Sequence, residues 1–505
     1  MSHPSPLRHL VVSFVLPFLL LGASMDIAPR IFLVGDSTMA DKPLAGNPER
    51  GWGQMFPAFL TGSAVVRNHA RNGRSTRSFL NEGRWQAVRD QLQPGDYVFI
   101  QFGHNDAKKA DTSRYADAHT DYRDNLLRFV REARSKGAVP VLITPVCRRK
   151  FDSTGAFVDS HADYPGVVRE IAAAEYVPLI DLHARSRELI ERIGPEESKK
   201  FFLWVKSGVY RSLPEGKRDD THFSAPGAAT VAGLVVEEIR GLGIPLGRYL
   251  RPAGTPDFAG AGKVVCLDYY YNNERRTDAQ GRRLRFHYVW EDTSNSGFSE
   301  LGRTISLLGA EIDTLPSAPT AVSLGHASIY LIVDPDTPAE TDHPNHLEPE
   351  AIGAVSEWVQ SGGILVLMGN DKGNAEIEHL NQLAEVFGIH FNEDSRNRVT
   401  GKDYQTGAFE ALPDHPLFRG VRKIFIKELS TLRIQAPAET VLSDRGDVIM
   451  AFSKFGNGAV FAVGDPWFYN EYMDHRRLPE EFDNDAAAAN FFRWLLGMAQ
   501  GVRHP

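Results

Sequence analysis

Tyr97-Val98-Phe99-Ile100-Gln101-Phe102-Gly103-His104-Asn105-Asp106 is a nearly continuous apolar run closed by polar residues, and Val139-Pro140-Val141-Leu142-Ile143-Thr144 repeats the pattern. Between them Tyr122, Leu126, Val130 and Ala133 recur at helical spacing, and Gly137 can end that helix. Two buried strands flank one helix. Working outward, Ile31 to Val34 upstream and Val177 to Ile180 downstream are further short strands. Ser224 and Pro226 supply a hydroxyl cap and a first-turn proline for a helix through Ala228 to Ile239. This alternation predicts an α/β fold whose largely parallel sheet is covered on both faces.

At 505 residues the chain exceeds one ordinary core. Gly, Pro and Ala crowd residues 251–262, which reads as a linker. A second α/β pattern follows over 263–505. Its strands are Val264 to Leu267, Ile329 to Val333, Ile364 to Met368, Val448 to Phe452 and Val460 to Val463. Its helices are Glu300 to Leu308, one carrying Ile352, Val355 and Val359, and Ala486 to Met498. The first unit spans 25–250. Residues 1–24 read as an export signal: Arg8 and His9 precede an apolar stretch from Leu10 to Leu21, then Gly22, Ala23 and Ser24. A secreted or periplasmic protein is expected, free of the membrane once the signal is removed. Cys147 and Cys266 read as two buried free thiols. With 56 basic and 64 acidic residues interspersed, nucleic-acid binding has no electrostatic footprint.

Function gathers at the carboxyl ends of parallel strands, and four polar clusters fall at such ends or in loops. They are Gly35-Asp36-Ser37-Thr38-Met39, Asn68 to Ser75, Gly103-His104-Asn105-Asp106 and Asp219-Asp220-Thr221-His222. Acyl transfer needs a nucleophile, a base, an orienting acid and oxyanion donors. Ser37 supplies a hydroxyl and His222 a base. Asp219 has the spacing to orient His222, with Asp220 as competitor. The amides of Ser37 and Gly73 and the side chain of Asn105 are candidate oxyanion donors. Trp52, Gln54, Arg74, Arg77 and His104 are candidates to line a sugar site. His104 and Asp106 lack the partners that would complete a metal site, and no Gly-x-Ser-x-Gly elbow surrounds Ser37.

In order along the chain, Gly35-Asp36-Ser37, Gly73, Gly103-His104-Asn105-Asp106 and Asp219-x-x-His222 resemble the blocks of the SGNH (GDSL-type) hydrolases. Gly-Asp-Ser-Thr-Met-Ala-Asp at 35–41, Gly51-Trp52-Gly53-Gln54, residues 72–79 and Thr221-His222-Phe223 are similar to the rhamnogalacturonan acetylesterase branch. The resemblance covers Arg30 to about Leu246. It implies a flavodoxin-like three-layer α/β/α domain that hydrolyses O-acetyl esters of a plant polysaccharide, most simply pectic rhamnogalacturonan, with no metal or cofactor. That branch often has Gly after the acid, where this chain has Asp220. A lipid esterase or acyltransferase of the same fold, and a non-catalytic polysaccharide-binding protein, are the rival expectations.

Residues 263–505 resemble class I glutamine-amidotransferase-like α/β domains. Active members place Cys at a turn after a strand, where this chain has Gly369-Asn370-Asp371, so a non-catalytic domain is expected. Gly464 to Tyr472 is an aromatic, polar segment able to stack on sugar or to fill an interface between the domains.

Overall fold

The computed structural model describes residues 28–61, 64–253 and 258–501. The export signal expected at 1–24 and residues 254–257 of the expected linker lie outside them.

Strands β1 (Arg30–Gly35), β2 (Val65–Asn68), β3 (Tyr97–Gln101), β4 (Val139–Ile143) and β5 (Leu179–Ile180) form one five-stranded parallel sheet, ordered β2-β1-β3-β4-β5. That is the order of flavodoxin-like doubly wound sheets. Strand periodicity sorts the side chains to two cores. Ile31, Leu33, Phe99, Val141 and Ile143 bury against the helix Ala225–Leu242. Phe32, Val34, Val98, Ile100 and Leu142 bury on the opposite face against the helices Arg123–Ser135 and Tyr164–Ala174. With both faces covered, the first half has three layers. In chain order its principal helices are α1 (Thr76–Asn81), α2 (Arg123–Ser135), α3 (Tyr164–Ala174), α4 (Leu182–Glu197) and α5 (Ala225–Leu242).

Two boundaries differ from expectation. Strand β5 starts at Leu179, not Val177, because Pro178 has no N–H to give and the Val177 N–H goes to Ala172. Helix α5 starts on the expected cap, Ser224 Oγ taking the Gly227 N–H at 3.3 Å, but it runs past Ile239 to Leu242 and ends at Gly243 in the left-handed region. The segment ahead of α5 is an antiparallel ribbon of β6 (Phe202–Val205) and β7 (Lys217–Ser224), and β7 carries Asp219 and His222.

The second half is built on a nine-stranded sheet. Strands β8 (Val264–Asp268), β9 (Glu311–Leu315), β10 (Ile329–Val333), β11 (Ile364–Met368) and β13 (Gly458–Val463) are parallel, in the order β9-β8-β10-β11-β13. Antiparallel strands, beginning with β12 (Asp447–Phe455) on β13, extend it. The expected helices appear as α6 (Ser299–Leu307), α7 (Pro349–Gln360) and α8 (Asn484–Met498). Both cysteines are buried free thiols, Cys266 within β8. In the aromatic segment Trp467 and Phe468 are fully buried in the second half's own core, with Phe468 against Phe491 of α8, while Asp465, Tyr469 and Glu471 line a cavity. No described helix is long and apolar enough to cross a membrane.

The halves meet directly. Gly46 N–H donates to Ile312 O at 2.9 Å, Tyr210 OH to Glu311 at 2.8 Å, and Arg50 Nε to Ser306 Oγ at 3.4 Å.

Candidate active site

Ser37 sits in the turn after β1, where the Ala40 N–H returns to Asp36 O at 3.1 Å. This turn is fixed by a buried polar chain. Trp52 Nε1 donates to Gln101 Oε1 (2.7 Å), Gln101 Nε2 to Thr38 Oγ1 (2.7 Å), and Thr38 Oγ1 and N to Asp36 Oδ1 (2.8 and 2.9 Å). The other Asp36 oxygen meets His104 Nδ1 at 3.1 Å. Burial alone would raise the Asp36 carboxyl, but His104 and the Thr38 hydrogen bonds outweigh it and hold it below the usual range. Burial pushes the His104 ring toward its neutral form.

The ribbon delivers the imidazole. His222 Nε2 lies 2.9 Å from Ser37 Oγ, within proton-transfer reach, and Nδ1 lies 2.8 Å from Asp219 Oδ2. The second Asp219 oxygen accepts the backbone N–H groups of Thr221 and His222 at 2.8 and 3.0 Å. Burial would raise the Asp219 carboxyl, yet the His222 ring and these N–H groups together hold it well below the usual carboxylate range. Asp220 faces elsewhere. Its Oδ1 accepts from Arg149 Nη1 (2.7 Å) and Trp204 Nε1 (2.8 Å).

Gly73 lies at φ 76° between β2 and α1, a left-handed conformation that favours glycine. Asn105 follows β3, and its Nδ2 donates to Arg74 O at 3.0 Å, so the two loops carrying the expected oxyanion donors are tied together. Asp106 goes to α1, accepting Thr76 N and Oγ1 at 2.9 and 2.6 Å. Burial pushes its carboxyl up to about 7 against those bonds. His104 and Asp106 thus serve different partners.

The expected sugar contacts need correction. Trp52 is fully buried beneath the nucleophile turn and has no surface to offer a sugar. Its flanking glycines are there for close approach: a Cβ at Gly51 would lie 2.2 Å from Ala40 O, and one at Gly53 2.6 Å from Met39 O. Gln54 clamps the Lys42 backbone through both amide atoms (3.1 and 3.0 Å) and borders a cavity of about 530 Å³ between the halves, whose lining does not include Ser37. His104 is buried behind the site. Arg77 ties α1 to Tyr115 O and Asp121. Arg74 pairs with Glu82 and keeps about a third of its side chain exposed, at 32%. The reading from sequence overlooked Gln101 and Arg149, since neither residue type marks itself without the pairing that buries it.

Residues 33–229 match the GDSL-like lipase/acylhydrolase family. The rhamnogalacturonan acetylesterase RhgT of Bacillus subtilis is 44% identical over 221 residues, covering 44% of this chain and 94% of that protein. A rhamnogalacturonan acetylesterase of Emericella nidulans is 28% identical over 239 residues, covering 44% of this chain and 88% of that one.

Proposed function

This chain belongs to the GDSL-like lipase/acylhydrolase family and is an esterase, and from that premise we propose that it removes acetyl groups from a pectic polysaccharide, with rhamnogalacturonan the first substrate to test. The observation that carries the reading is the 2.9 Å separation of Ser37 Oγ and His222 Nε2, with Asp219 behind the imidazole. In the proposed sequence His222 takes the Ser37 proton as the oxygen attacks the acetyl carbonyl. Asp219 holds the ring tautomer and faces the imidazolium that forms. The Ser37 and Gly73 amides and Asn105 Nδ2 face the developing oxyanion, each such donor being worth roughly 3 kcal/mol. His222 then returns its proton to the departing sugar oxygen, and water activated by the same ring releases acetate.

Arg74, exposed beside the Asn105 loop, is the sugar contact this placement favours. We read residues 263–505 as a non-catalytic, amidotransferase-like unit joined through 251–262. Cys266 inside β8, with its thiol pushed up by burial, supports that reading, as does Asn370 in the turn after β11. Export to the periplasm or medium belongs to the same proposal and rests on residues 1–24.

The test is acetate release from acetylated rhamnogalacturonan, with acetylated xylan and acetyl and long-chain p-nitrophenyl esters alongside. The reading expects preference for the pectic acetyl ester and a loss of at least about 10³-fold in kcat for Ser37→Ala. Retained activity in that variant removes the mechanism, and preference for long acyl chains removes the substrate.

A further inference from the structure

Beyond the esterase site, the loop between β4 and α3 brings Asp159 and His161 against His183 in the first turn of α4. One donor atom from each lies within 4.8 Å of the other two. His183 Nε2 is 3.1 Å from one Asp159 carboxylate oxygen, and His161 Nδ1 is 3.8 Å from the other. A tetrahedral ion with bonds of about 2.0–2.1 Å spaces its ligand atoms about 3.4 Å apart, close to both separations from Asp159, and the third separation is no more than 4.8 Å.

His161 is the anomaly that points to a ligand. It is 1% exposed, yet neither ring nitrogen has a hydrogen-bond partner among the described residues. Buried polar groups in folded proteins are nearly always satisfied. Its aromatic neighbours do not supply an acceptor: the rings of His104 and His183 stand almost perpendicular to it, at 4.7 and 5.5 Å between centroids.

We propose that Asp159, His161 and His183 hold a divalent transition-metal ion, with zinc the best match to two imidazoles and one carboxylate. Asp159, partly exposed, gives the ion an entry side, and a water completes its coordination. The ion would pin the 145–163 loop to α4 behind His104, whose ring in turn touches His161. The Cys147 thiol is engaged with His183 O and stands outside the ligand set.

A second cluster, His346, Glu376 and His379, serves as the internal control. There all three residues are partly exposed and Glu376 accepts from His379 N and Nδ1, whereas His161 and His183 are buried and the His183 Nε2–Asp159 hydrogen bond of 3.3 Å is the one the ion would replace.

The test uses the full chain purified without a histidine tag, stripped with a chelator and titrated with zinc and with cobalt(II). One equivalent of each ion per chain is expected, with a visible cobalt band of nitrogen–oxygen coordination and a zinc-dependent rise in Tm. Asp159→Asn and His161→Gln should each lose the equivalent, the band and the rise, while His379→Gln keeps them. Should His161→Gln fail to fold by circular dichroism, Asp159→Asn decides, because Asp159 lies at the surface. Absence of saturable uptake overturns the proposal, as does uptake unchanged in Asp159→Asn.

Discussion

At the scale of single residues, Asp219 and Asp220 show what adjacency in a sequence conceals. Both are acidic, and both lie close before His222. Spacing alone leaves them in competition. The structure puts them on β7 where its register against β6 shifts between Asp219 and Phe223. Regular alternation would set Asp220 on the His222 face. Instead Asp219 Oδ1 accepts the Thr221 and His222 N–H groups, and this local turn brings its other oxygen to the His222 ring while Asp220 reaches Arg149. Two adjacent acidic residues before a histidine do not say which carboxylate the backbone turns toward the ring. The two substitutions should therefore separate. Asp219→Asn should lower kcat by about 10²–10⁴-fold with intact folding, since the imidazole loses its orienting carboxylate. Asp220→Asn should leave kcat within a few-fold and lower Tm, since Arg149 is buried and loses its charged partner. Equal losses of kcat in steady-state assays would contradict the assignment. The pH dependence carries a sign. A carboxyl held below its unfolded value stabilises the fold above that value and loses the contribution as pH falls through about 4 and lower. Wild type should therefore exceed Asp219→Asn in Tm at neutral pH, with the gap starting to narrow only below about pH 4 and most of it remaining at about pH 3, measured by thermal scans across that range.

At the scale of elements, the expected strands were legible because each carries an apolar run of its own, most of them in the parallel sheets and Val448 to Phe452 in an antiparallel pair, and because Gly137, Ser224 and Pro226 punctuate the helices. The Gly51-Trp52-Gly53-Gln54 block was legible as a motif and misleading as a sugar site. Exposure of an indole cannot be read from a short segment. Here the two glycines let Trp52 slide under the nucleophile turn until its N–H meets Gln101. The chain Trp52–Gln101–Thr38–Asp36–His104 is a satisfied buried network, so breaking one link strands its neighbours. Thr38→Val keeps the shape and removes the hydroxyl shared by Gln101 and Asp36. It should cost about 1–3 kcal/mol of stability and lower kcat while changing KM little, because the turn that aims Ser37 loosens. Denaturant unfolding and kinetics on p-nitrophenyl acetate check both parts. A variant as stable and active as wild type would mean that the turn holds itself without the network.

At the scale of the whole molecule, composition and pattern suggested two units and said nothing of how they touch, because the joining contacts come from short irregular segments with no periodicity. The junction centres on Arg50, which is 1% exposed. Its guanidinium donates to the carbonyls of Asn47 and Glu49 at 2.7 Å, to Leu44 O at 3.2 Å and to Pro43 O at 3.4 Å, while Nε reaches Ser306 of the second half. Burial pulls the guanidinium down to about 10, with Glu311, Tyr210 and Glu49 opposing, and it stays charged at neutral pH. Leu44 and Ala45, on the segment it gathers, pack against the second half's core. Arg50 thus shapes the 43–49 segment into the surface on which the second half rests. Tyr210 OH donates to Glu311 from a partly buried position near Arg50. Removing a buried charge that satisfies several carbonyls should cost about 3 kcal/mol or more, and removing one neutral hydroxyl about 1 kcal/mol. In calorimetry the wild-type chain should unfold in one transition and Tyr210→Phe in one slightly lower transition. Arg50→Ala should split the trace, the second half melting apart from the first, with kcat on p-nitrophenyl acetate largely kept below the first transition. A single transition in Arg50→Ala, shifted no further than in Tyr210→Phe, would show that the apolar contacts of Leu44 and Ala45 couple the halves without the guanidinium.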